Sequence, residues 1–520
     1  MSLSRSAALL ALGLFALRPP VAAQTNPPGD TLLQGGVEAL QKGDFSRAQA
    51  LFAELTKQRP TAQNLAYLAM AEAGGGDLTG AIGHFNQSIA LGNDAPAIHY
   101  NLGLAYLRDH RSSAGIAEMR RAITLDPNYG RAQYALGVAL LDAGQAGEGA
   151  SCLRRASARL PNSAEVRANL VRAYFEAGDT AAALAAVKEA GDALPDDSRL
   201  MVTLADLCLR HGQLQRARYL LENASELLPD DTDVKLMLAK ASLLAGEPAE
   251  TLAALKDVPS AAGKPGEVMI LMGEARALTG NLSVAKTDIS TAVEASPQEP
   301  RYWTALAWLN QLQGSYDIAL CSLRQACGLD SKSPEIPYRM AVSYFLLGKY
   351  GQAAAACEHT LRLDPGYDRA QLLLGLSELQ QNNLDAARAS LEQAVHLQPV
   401  SDLYHRELGI VLFKMGDVSG SMRELDDALT RNPKGAQTYY WRAQVFARRG
   451  EPRKGIADLE TATALQPGFA PAYSELARLY STIGQRTKAA LALATQKKIE
   501  QTTKADDRSR LRNDLVNPLL

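Results

Sequence analysis

The amino-acid sequence predicts an all-α protein, an α-solenoid of about fourteen helical hairpins that repeat every 34 residues. Three observations lead to this prediction. Glycine recurs at 34-residue steps, proline recurs at the same step in fixed phase with it, and small residues fill two further positions of each repeat. Alanine and leucine dominate and β-branched residues are sparse, which favours helix throughout. The pattern indicates one repeat architecture, where 520 residues would ordinarily suggest three or four globular domains.

The glycine row predicts the turn inside each hairpin. It keeps its step over eleven repeats in a chain that has only 40 glycines among 520 residues. The single departure is asparagine, which tolerates a left-handed backbone better than most residues with a side chain. A left-handed residue ends the first helix and begins a tight turn. The row consists of Gly144, Gly178, Gly212, Gly246, Gly280, Gly314, Gly348, Asn382, Gly416, Gly450 and Gly484.

The proline row predicts where each second helix ends. Proline has no N–H to donate and disfavours helical backbone in the residue before it, so a helix stops there. Two helices of about twelve residues fit between successive prolines. The row consists of Pro127, Pro161, Pro195, Pro229, Pro297, Pro365, Pro399, Pro433 and Pro467, with Gly263 and Ser331 at the two remaining steps.

Small residues predict that the two helices of a hairpin approach closely. With the glycine numbered as position 15 and the proline as position 32, position 8 is glycine or alanine in almost every repeat, as at Gly137. Position 20 is alanine in most repeats, as at Ala217. Large apolar residues at positions 7 and 24, such as Leu136 and Leu153, fill the space beside them.

At these positions the sequence resembles the tetratricopeptide repeat family, whose pattern is W-x2-L-G-x2-Y, then A-x3-F, then P. One repeat carries Trp303 at the tryptophan position of this pattern. The resemblance covers roughly residues 29–500 and implies that the hairpins stack into a right-handed superhelix. The repeat that shows the pattern best contains Leu102-Gly103-x2-Tyr106, then Ala122 and Pro127.

The first residues have the layout of a secretory signal peptide. Arg5 precedes an apolar run over residues 7–17, and small residues follow at 21–23. The run is too short to cross a bilayer, which needs about 20 residues. We expect cleavage near Ala23 and export to the periplasm or the exterior. The predicted organisation is a signal peptide over 1–23, a linker over 24–30, the solenoid over 31–500, and a C-terminal cap and tail over 501–520.

The repeat over residues 232–265 is the weakest. We expect its second helix to be short and to end before a proline- and glycine-rich segment that runs from Pro259 to Gly266. Either a hinge or a local loop in a rigid rod fits this composition.

The sequence contains no motif of catalysis, cofactor binding or metal binding. Only residues 501–520 remain beyond the repeats, too few for a catalytic domain. There is no G-x-x-x-x-G-K-[ST], G-x-S-x-G or H-E-x-x-H. The seven histidines lack metal-ligand spacing, and we expect them not to converge. The five cysteines are odd in number and lack C-x-x-C, so buried thiols are the simplest interpretation.

The charge balance argues against nucleic acid as a partner. The chain has 54 basic and 56 acidic residues, whereas a mainly electrostatic nucleic-acid binder has a clear positive excess. No later segment is apolar enough to span a membrane, and no small-molecule substrate is expected.

The resemblance also predicts a binding groove. In this family positions 2, 5, 6, 9, 12 and 13 of each first helix face the concave surface, and positions 4, 7, 8 and 11 pack within the repeat. Trp303, at position 4, is then structural, whereas Trp308 and Trp441, at positions 9 and 6, face the groove. Aromatic residues flanked by arginine have the composition of binding hot spots. The candidate residues are Arg301, Trp308, Tyr338, Arg339, Phe345, Arg369, Arg406, Tyr440, Trp441 and Gln444.

These observations predict a non-catalytic scaffold that binds other proteins or peptides outside the cytoplasm, in envelope assembly or secretion. Three alternatives remain. The groove rings could pack internally against the next turn of the superhelix. The groove aromatics could instead hold carbohydrate in a carbohydrate-binding or export-associated accessory protein. The chain could also be a purely structural spacer with no groove ligand.

Overall fold

A computed structural model describes residues 28–256, 258 and 265–502. These residues form 28 α-helices and contain no β-strand, which confirms the all-α prediction and the number of about fourteen hairpins. The predicted signal peptide, residues 24–27 of the linker, residues 259–264 and residues 503–520 of the tail lie outside the described part. The chain divides into two compact units at residues 241 and 242.

The helices follow one another without other elements between them. The first unit contains α1 (Pro28–Gln41), α2 (Phe45–Gln58), α3 (Ala62–Gly75), α4 (Leu78–Ala90), α5 (Pro96–Arg108), α6 (Ser112–Leu125), α7 (Gly130–Asp142), α8 (Ala146–Arg159), α9 (Ala164–Glu176), α10 (Thr180–Ala193), α11 (Ser198–Arg210) and α12 (Leu214–Leu227). The unit boundary falls within α13 (Thr232–Leu244). The second unit continues with α14 (Pro248–Leu255), α15 (Pro265–Leu278), α16 (Leu282–Ala295), α17 (Pro300–Leu312), α18 (Tyr316–Leu329), α19 (Glu335–Leu346), α20 (Tyr350–Leu363), α21 (Asp368–Gln380), α22 (Leu384–Leu397), α23 (Asp402–Met415), α24 (Val418–Arg431), α25 (Ala436–Arg448), α26 (Pro452–Leu465), α27 (Ala470–Thr482) and α28 (Arg486–Thr502).

Within each unit most consecutive helices pack on one another, and each odd-numbered helix is the first of a hairpin. In the second unit, α17 packs on α18, α18 on α19, and α19 on α20. First helices also contact the next first helix, from α19 through α21 and α23 to α25. This second set of contacts builds a continuous wall of first helices within the unit.

The turn glycines adopt the backbone that the sequence predicts. Every glycine of the row from Gly144 to Gly484 has a positive φ, and Asn382 takes the same conformation at 62°. At Gly144 the turn N–H groups close back on the first helix, since Gly144 N donates to Leu141 O at 2.9 Å and Gln145 N to Leu140 O at 2.8 Å. His110, one repeat upstream of Gly144, also has a positive φ of 60°. The row therefore extends to a histidine that the sequence did not single out.

The small residues at position 8 lie where the helices of a hairpin touch. A Cβ placed on Gly375 would be 2.6 Å from Leu391 Cγ and 3.2 Å from the Ala387 carbonyl oxygen. Gly137 has the same surroundings, with Leu153 Cγ at 2.6 Å. The contact between positions 8 and 24 is thus tight enough to exclude a side chain at these glycines without movement of the leucine.

In several repeats the side chain at position 4 joins the repeat to the proline turn before it. Gln133, Arg167 and Trp303 each donate a hydrogen bond to the carbonyl of the proline six residues upstream, at 2.6, 2.9 and 2.9 Å. The bond from Trp303 Nε1 to Pro297 O confirms that this tryptophan has a structural role.

Two element boundaries differ from the predicted organisation. Helix α1 begins at Pro28, so residues 28–30 are helical where a linker was expected. Helix α28 runs to Thr502, just past the predicted end of the repeats. Helix α14, in the weak repeat, has only 8 residues where the other second helices have 13 or more.

Candidate functional site

The surroundings of Trp308 are closed, which corrects the prediction that its ring faces an open groove. Trp308 is 2% exposed and packs in one apolar cluster with Ile270, Leu309 and Tyr338. Its Nε1 has no hydrogen-bond partner in the described part of the chain. Residues of the first helices before and after it, such as Ile270 of α15 and Tyr338 of α19, belong to this cluster. The indole is buried among the repeats before and after its own.

The other predicted residues near Trp308 are also covered or paired. Tyr338 is buried, and burial raises the pKa of its phenol above the usual range. The Arg339 guanidinium is mostly buried and contacts the Glu335 carboxylate at 2.8 Å. Arg301 lies 3.7 Å from Glu274, and Arg369 is half-buried. These residues do not form an accessible binding surface around Trp308.

An open cleft lies further along the same wall, around Trp441. It has a volume of about 500 Å³ and is lined by residues of the first helices α19, α21, α23 and α25 and of two turns. Three predicted residues line it: Phe345, Arg406 and Trp441. The remaining lining residues are Leu376, Leu379, Gln380, Glu407, Ile410, Lys414, Lys434, Gly435, Ala436, Gln437, Leu465 and Gln466.

Other aromatic rings pack against Trp441, and part of its own ring stays accessible. Its centroid lies 5.9 Å from that of Phe413 and 5.5 Å from that of Tyr440, both in edge-on arrangements. The Arg448 guanidinium covers the Phe413 ring at 3.9 Å. Tyr440 in turn packs on Phe469 at 5.2 Å, and burial raises the pKa of its phenol. A ring fixed by such contacts loses little freedom when a ligand binds.

One ion pair lies within the cleft wall, between adjacent residues of α23. Arg406 Nε and Nη2 donate to a single Glu407 oxygen at 3.0 and 2.9 Å. Both side chains are more than four-fifths buried, so each charge is held mainly by the other. Two lysines, Lys414 and Lys434, lie on the same cleft and are exposed.

Sequence reasoning found part of this cleft and missed the rest. Tyr440 and Gln444 lie beside Trp441 but not on the cleft surface. The rule for groove-facing positions does select Leu376, Ile410 and Lys414, at positions 9, 9 and 13, but the candidates chosen from it were aromatic residues, arginines and one glutamine. Lys434 and Leu465 come from turns and second-helix ends, which that rule does not cover.

The histidines are less scattered than expected. His99 and His405 both occupy position 4, and each places Nδ1 against a glutamate at position 23, Glu118 at 2.6 Å and Glu424 at 2.8 Å. Asp427 lies close enough to His405 and Glu424 for the three to resemble a set of metal ligands. His99 Nε2 contacts Asp94 at 2.6 Å and His405 Nε2 contacts Pro399 O at 3.2 Å, so protein groups hold both ring nitrogens of each imidazole. Because the His–Glu pair joins the two helices of its hairpin in both repeats, it is best explained as a structural contact between them.

Within the described ranges, no helix combines the length and apolar character needed to cross a membrane.

Comparisons with known proteins agree with this architecture. Family models described as tetratricopeptide repeat or TPR repeat match residues 71–109, 100–150, 140–207, 174–241, 208–268, 338–402 and 406–468, more than half of the chain. No curated protein sequence matches it.

Many solved structures are similar to the chain, all at low identity among those compared. A crystal structure of the APC/C hetero-tetramer Cut9–Hcn1 is 14% identical, with 87% of this chain and 96% of that chain covered and a TM-score of 0.45. A tetratricopeptide repeat protein from Parabacteroides merdae is 21% identical, with 49% and 99% covered and a TM-score of 0.40. The structure of YrrB, described as a TPR protein with an unusual peptide-binding site, is 20% identical, with 35% and 95% covered and a TM-score of 0.31.

Proposed function

Because the chain belongs to the tetratricopeptide repeat family, a family of protein–protein interaction scaffolds, we propose that it binds a segment of a partner protein in the cleft around Trp441. The observation that supports this is the cleft itself. It leaves a packed aromatic ring partly accessible beside charged groups, whereas Trp308 is buried.

The size of the cleft favours a peptide segment over a folded domain. Its volume of about 500 Å³ falls in the range of roughly 300–1,000 Å³ that is typical of sites for small ligands. A stable interface between folded proteins buries about 800 Å² on each partner, which such a cleft cannot supply alone. A few side chains of an extended segment fit this space. The scaffold is proposed to act by binding alone, without catalysis.

Photo-crosslinking tests the location of the binding site. A photoreactive amino acid replaces Gln437, inside the cleft, and in a second variant replaces Lys286, which is exposed on second helix α16. We expect a defined crosslinked partner from position 437 and not from position 286, and we expect Trp441→Ala to abolish it. Equal crosslinking from both positions, or capture that persists with Trp441→Ala, would contradict binding in the cleft.

We also propose that the protein works outside the cytoplasm, in the periplasm or after secretion, in envelope assembly or secretion. The support is the signal-peptide layout of residues 1–23, which lie outside the described part of the chain. Amino-terminal sequencing of the protein from fractionated cells tests it, with a mature chain that starts at Gln24 as the expected result. A chain that keeps Met1 and stays in the cytoplasmic fraction would refute export.

A further inference from the structure

The charge balance of the cleft around Trp441 carries information about its occupant. Three cations and one carboxylate line it: Arg406, Lys414, Lys434 and Glu407. Arg406 and Glu407 neutralise each other at 2.9 Å. The ammonium groups of Lys414 and Lys434 form no ion pair or hydrogen bond with any residue that the structure describes. The cleft therefore presents two positive charges that are not neutralised by the protein, and such a surface attracts a negatively charged ligand.

The cleft also has an apolar lining. Phe345, Leu376, Leu379 and Ile410 form it, and each is less than a tenth exposed, so they are already well packed. The accessible side of Trp441 lies beside them. A bulky apolar side chain bound here would be removed from water together with the accessible part of the indole, which favours binding.

Three glutamines in the lining favour a ligand with an extended peptide backbone. Gln380, Gln437 and Gln466 each offer an amide donor and an amide acceptor at the cleft, and none of these amides hydrogen-bonds to another group within the described ranges. Primary amides match the alternating N–H and C=O groups of an extended peptide. A neutral carbohydrate could also hydrogen-bond to such amides, but it has no negative group to pair with the two lysines.

We infer that the occupant is an extended acidic peptide segment, in which a bulky apolar side chain is flanked by carboxylates. The inference rests on the proposed function and adds the chemistry of the partner. The apolar side chain contacts Trp441, and the carboxylates pair with Lys414 and Lys434. The cleft crosses four first helices, and packed helices lie about 8–10 Å apart, so an extended segment of roughly eight residues spans it.

A selection experiment reads the preferred chemistry directly. A random library of eight-residue peptides is selected on the full chain, with the Trp441→Ala protein as the counter-selection. We expect enriched peptides to combine aspartate or glutamate with an adjacent phenylalanine, leucine or tryptophan. Enrichment of basic or uncharged peptides would overturn the acidic partner while leaving peptide binding in the cleft intact. No enrichment over Trp441→Ala would overturn both proposals.

A matched set of variants then tests the two lysines. The most enriched peptide, labelled with fluorescein, is titrated against the wild type, against Lys414→Glu with Lys434→Glu, and against Lys332→Glu. Lys332 is the control because it is exposed at repeat position 33, as Lys434 is, but does not line the cleft.

We expect the double reversal to weaken binding about tenfold or more, with most of the loss removed at high salt, because screened surface charges are involved. The Lys332→Glu protein should bind like the wild type, and replacing the peptide's glutamates by glutamine should reproduce the loss. Circular dichroism confirms that each variant is folded. Equal affinity of the wild type and the folded double reversal would refute the inference, even if Trp441→Ala still abolished binding.

Discussion

The regions around Trp308 and Trp441 begin from the same sequence expectation and reach opposite outcomes. Both tryptophans lie at groove-facing positions of first helices in the second unit. Trp308 is 2% exposed and belongs to a large apolar cluster of that unit, whereas Trp441 is half-buried and lines an open cleft. The difference comes from the neighbouring first helices. Trp308 lies in one cluster with apolar residues of the first helices before and after it, such as Tyr338, whereas the helix before Trp441 presents the Arg406–Glu407 pair at the cleft.

This comparison separates two uses of an aromatic residue in a repeat. An indole that is covered by its neighbour contributes mainly to the stacking of repeats, since its whole apolar surface is removed from water. An indole that packs against other side chains but keeps part of its ring exposed is available to a partner. The following variants test that division.

The largest expected effect comes from Trp308→Ala. Removing a fully buried tryptophan leaves a cavity and should cost about 3–5 kcal/mol of unfolding free energy. Trp441→Ala should cost far less, about 1 kcal/mol or below, because its ring is partly solvated. Urea denaturation followed by circular dichroism measures both. Trp308→Phe is the control and should be milder than alanine, because the indole N–H has no partner to lose within the described residues. Equal losses at the two tryptophans would contradict the division.

The second variant disturbs a helix that serves both regions. Leu376, in α21, belongs to the apolar cluster around Trp308 and also lines the cleft. The preceding residue, Gly375, touches Leu391, so Gly375→Val should overpack the hairpin and cost about 1–3 kcal/mol. Urea denaturation provides the measurement. Gly375→Ala is the matched control and should cost less, since alanine occupies the same position at Ala341 and Ala443.

If valine proved as stable as glycine at position 375, the close approach of positions 8 and 24 would not hold this part of the wall together.

The fold was largely predictable because it depends on backbone rules that a sequence displays openly. Glycine at the turn and proline after the second helix act through their own backbone preferences, so Gly144 and Pro127 could be interpreted without knowledge of their neighbours. Asn382 shows how robust the rule is, since it takes the same left-handed turn. His110 shows its limit. A histidine in that conformation is uncommon, and the sequence carried no signal beyond its place in the row.

The candidate site was less predictable because exposure is a property of pairs of helices. The position of Trp308 on its helix was interpreted from the repeat pattern, but whether it stays open depends on residues of neighbouring helices. Tyr338, for example, lies 30 residues away in the next first helix and belongs to the same apolar cluster. The choice of aromatic and arginine residues also excluded the lysine that matters for charge, Lys414. Turn residues such as Lys434 reach the cleft only because the repeat before them ends there.

A smaller effect is expected at the border between the two regions. Tyr404 is buried in the cluster around Trp308, and its hydroxyl donates to an Asp368 oxygen at 2.8 Å. Tyr404→Phe removes this bond and should cost about 0.5–1.5 kcal/mol in urea denaturation. Peptide binding in the cleft should not change, because Tyr404 does not line it. A loss of binding with unchanged stability would show that the two regions are not separate.

The finest test does not measure stability and compares the two indoles by their contact with solvent ions. One variant, Trp303→Phe with Trp441→Phe, keeps only Trp308, and another, Trp303→Phe with Trp308→Phe, keeps only Trp441. Iodide should barely quench the fluorescence of Trp308 because the ring is 2% exposed. It should quench Trp441, and more strongly than caesium does, because Lys414 and Lys434 concentrate anions at the cleft. The preference for iodide should fade as sodium chloride is added, since salt shortens the range of these charges to about 8 Å at 0.15 M. Equal quenching of Trp441 by the two ions would mean that the lysine charges do not reach the ring, and similar quenching of both tryptophans would remove the distinction between a covered and an open indole.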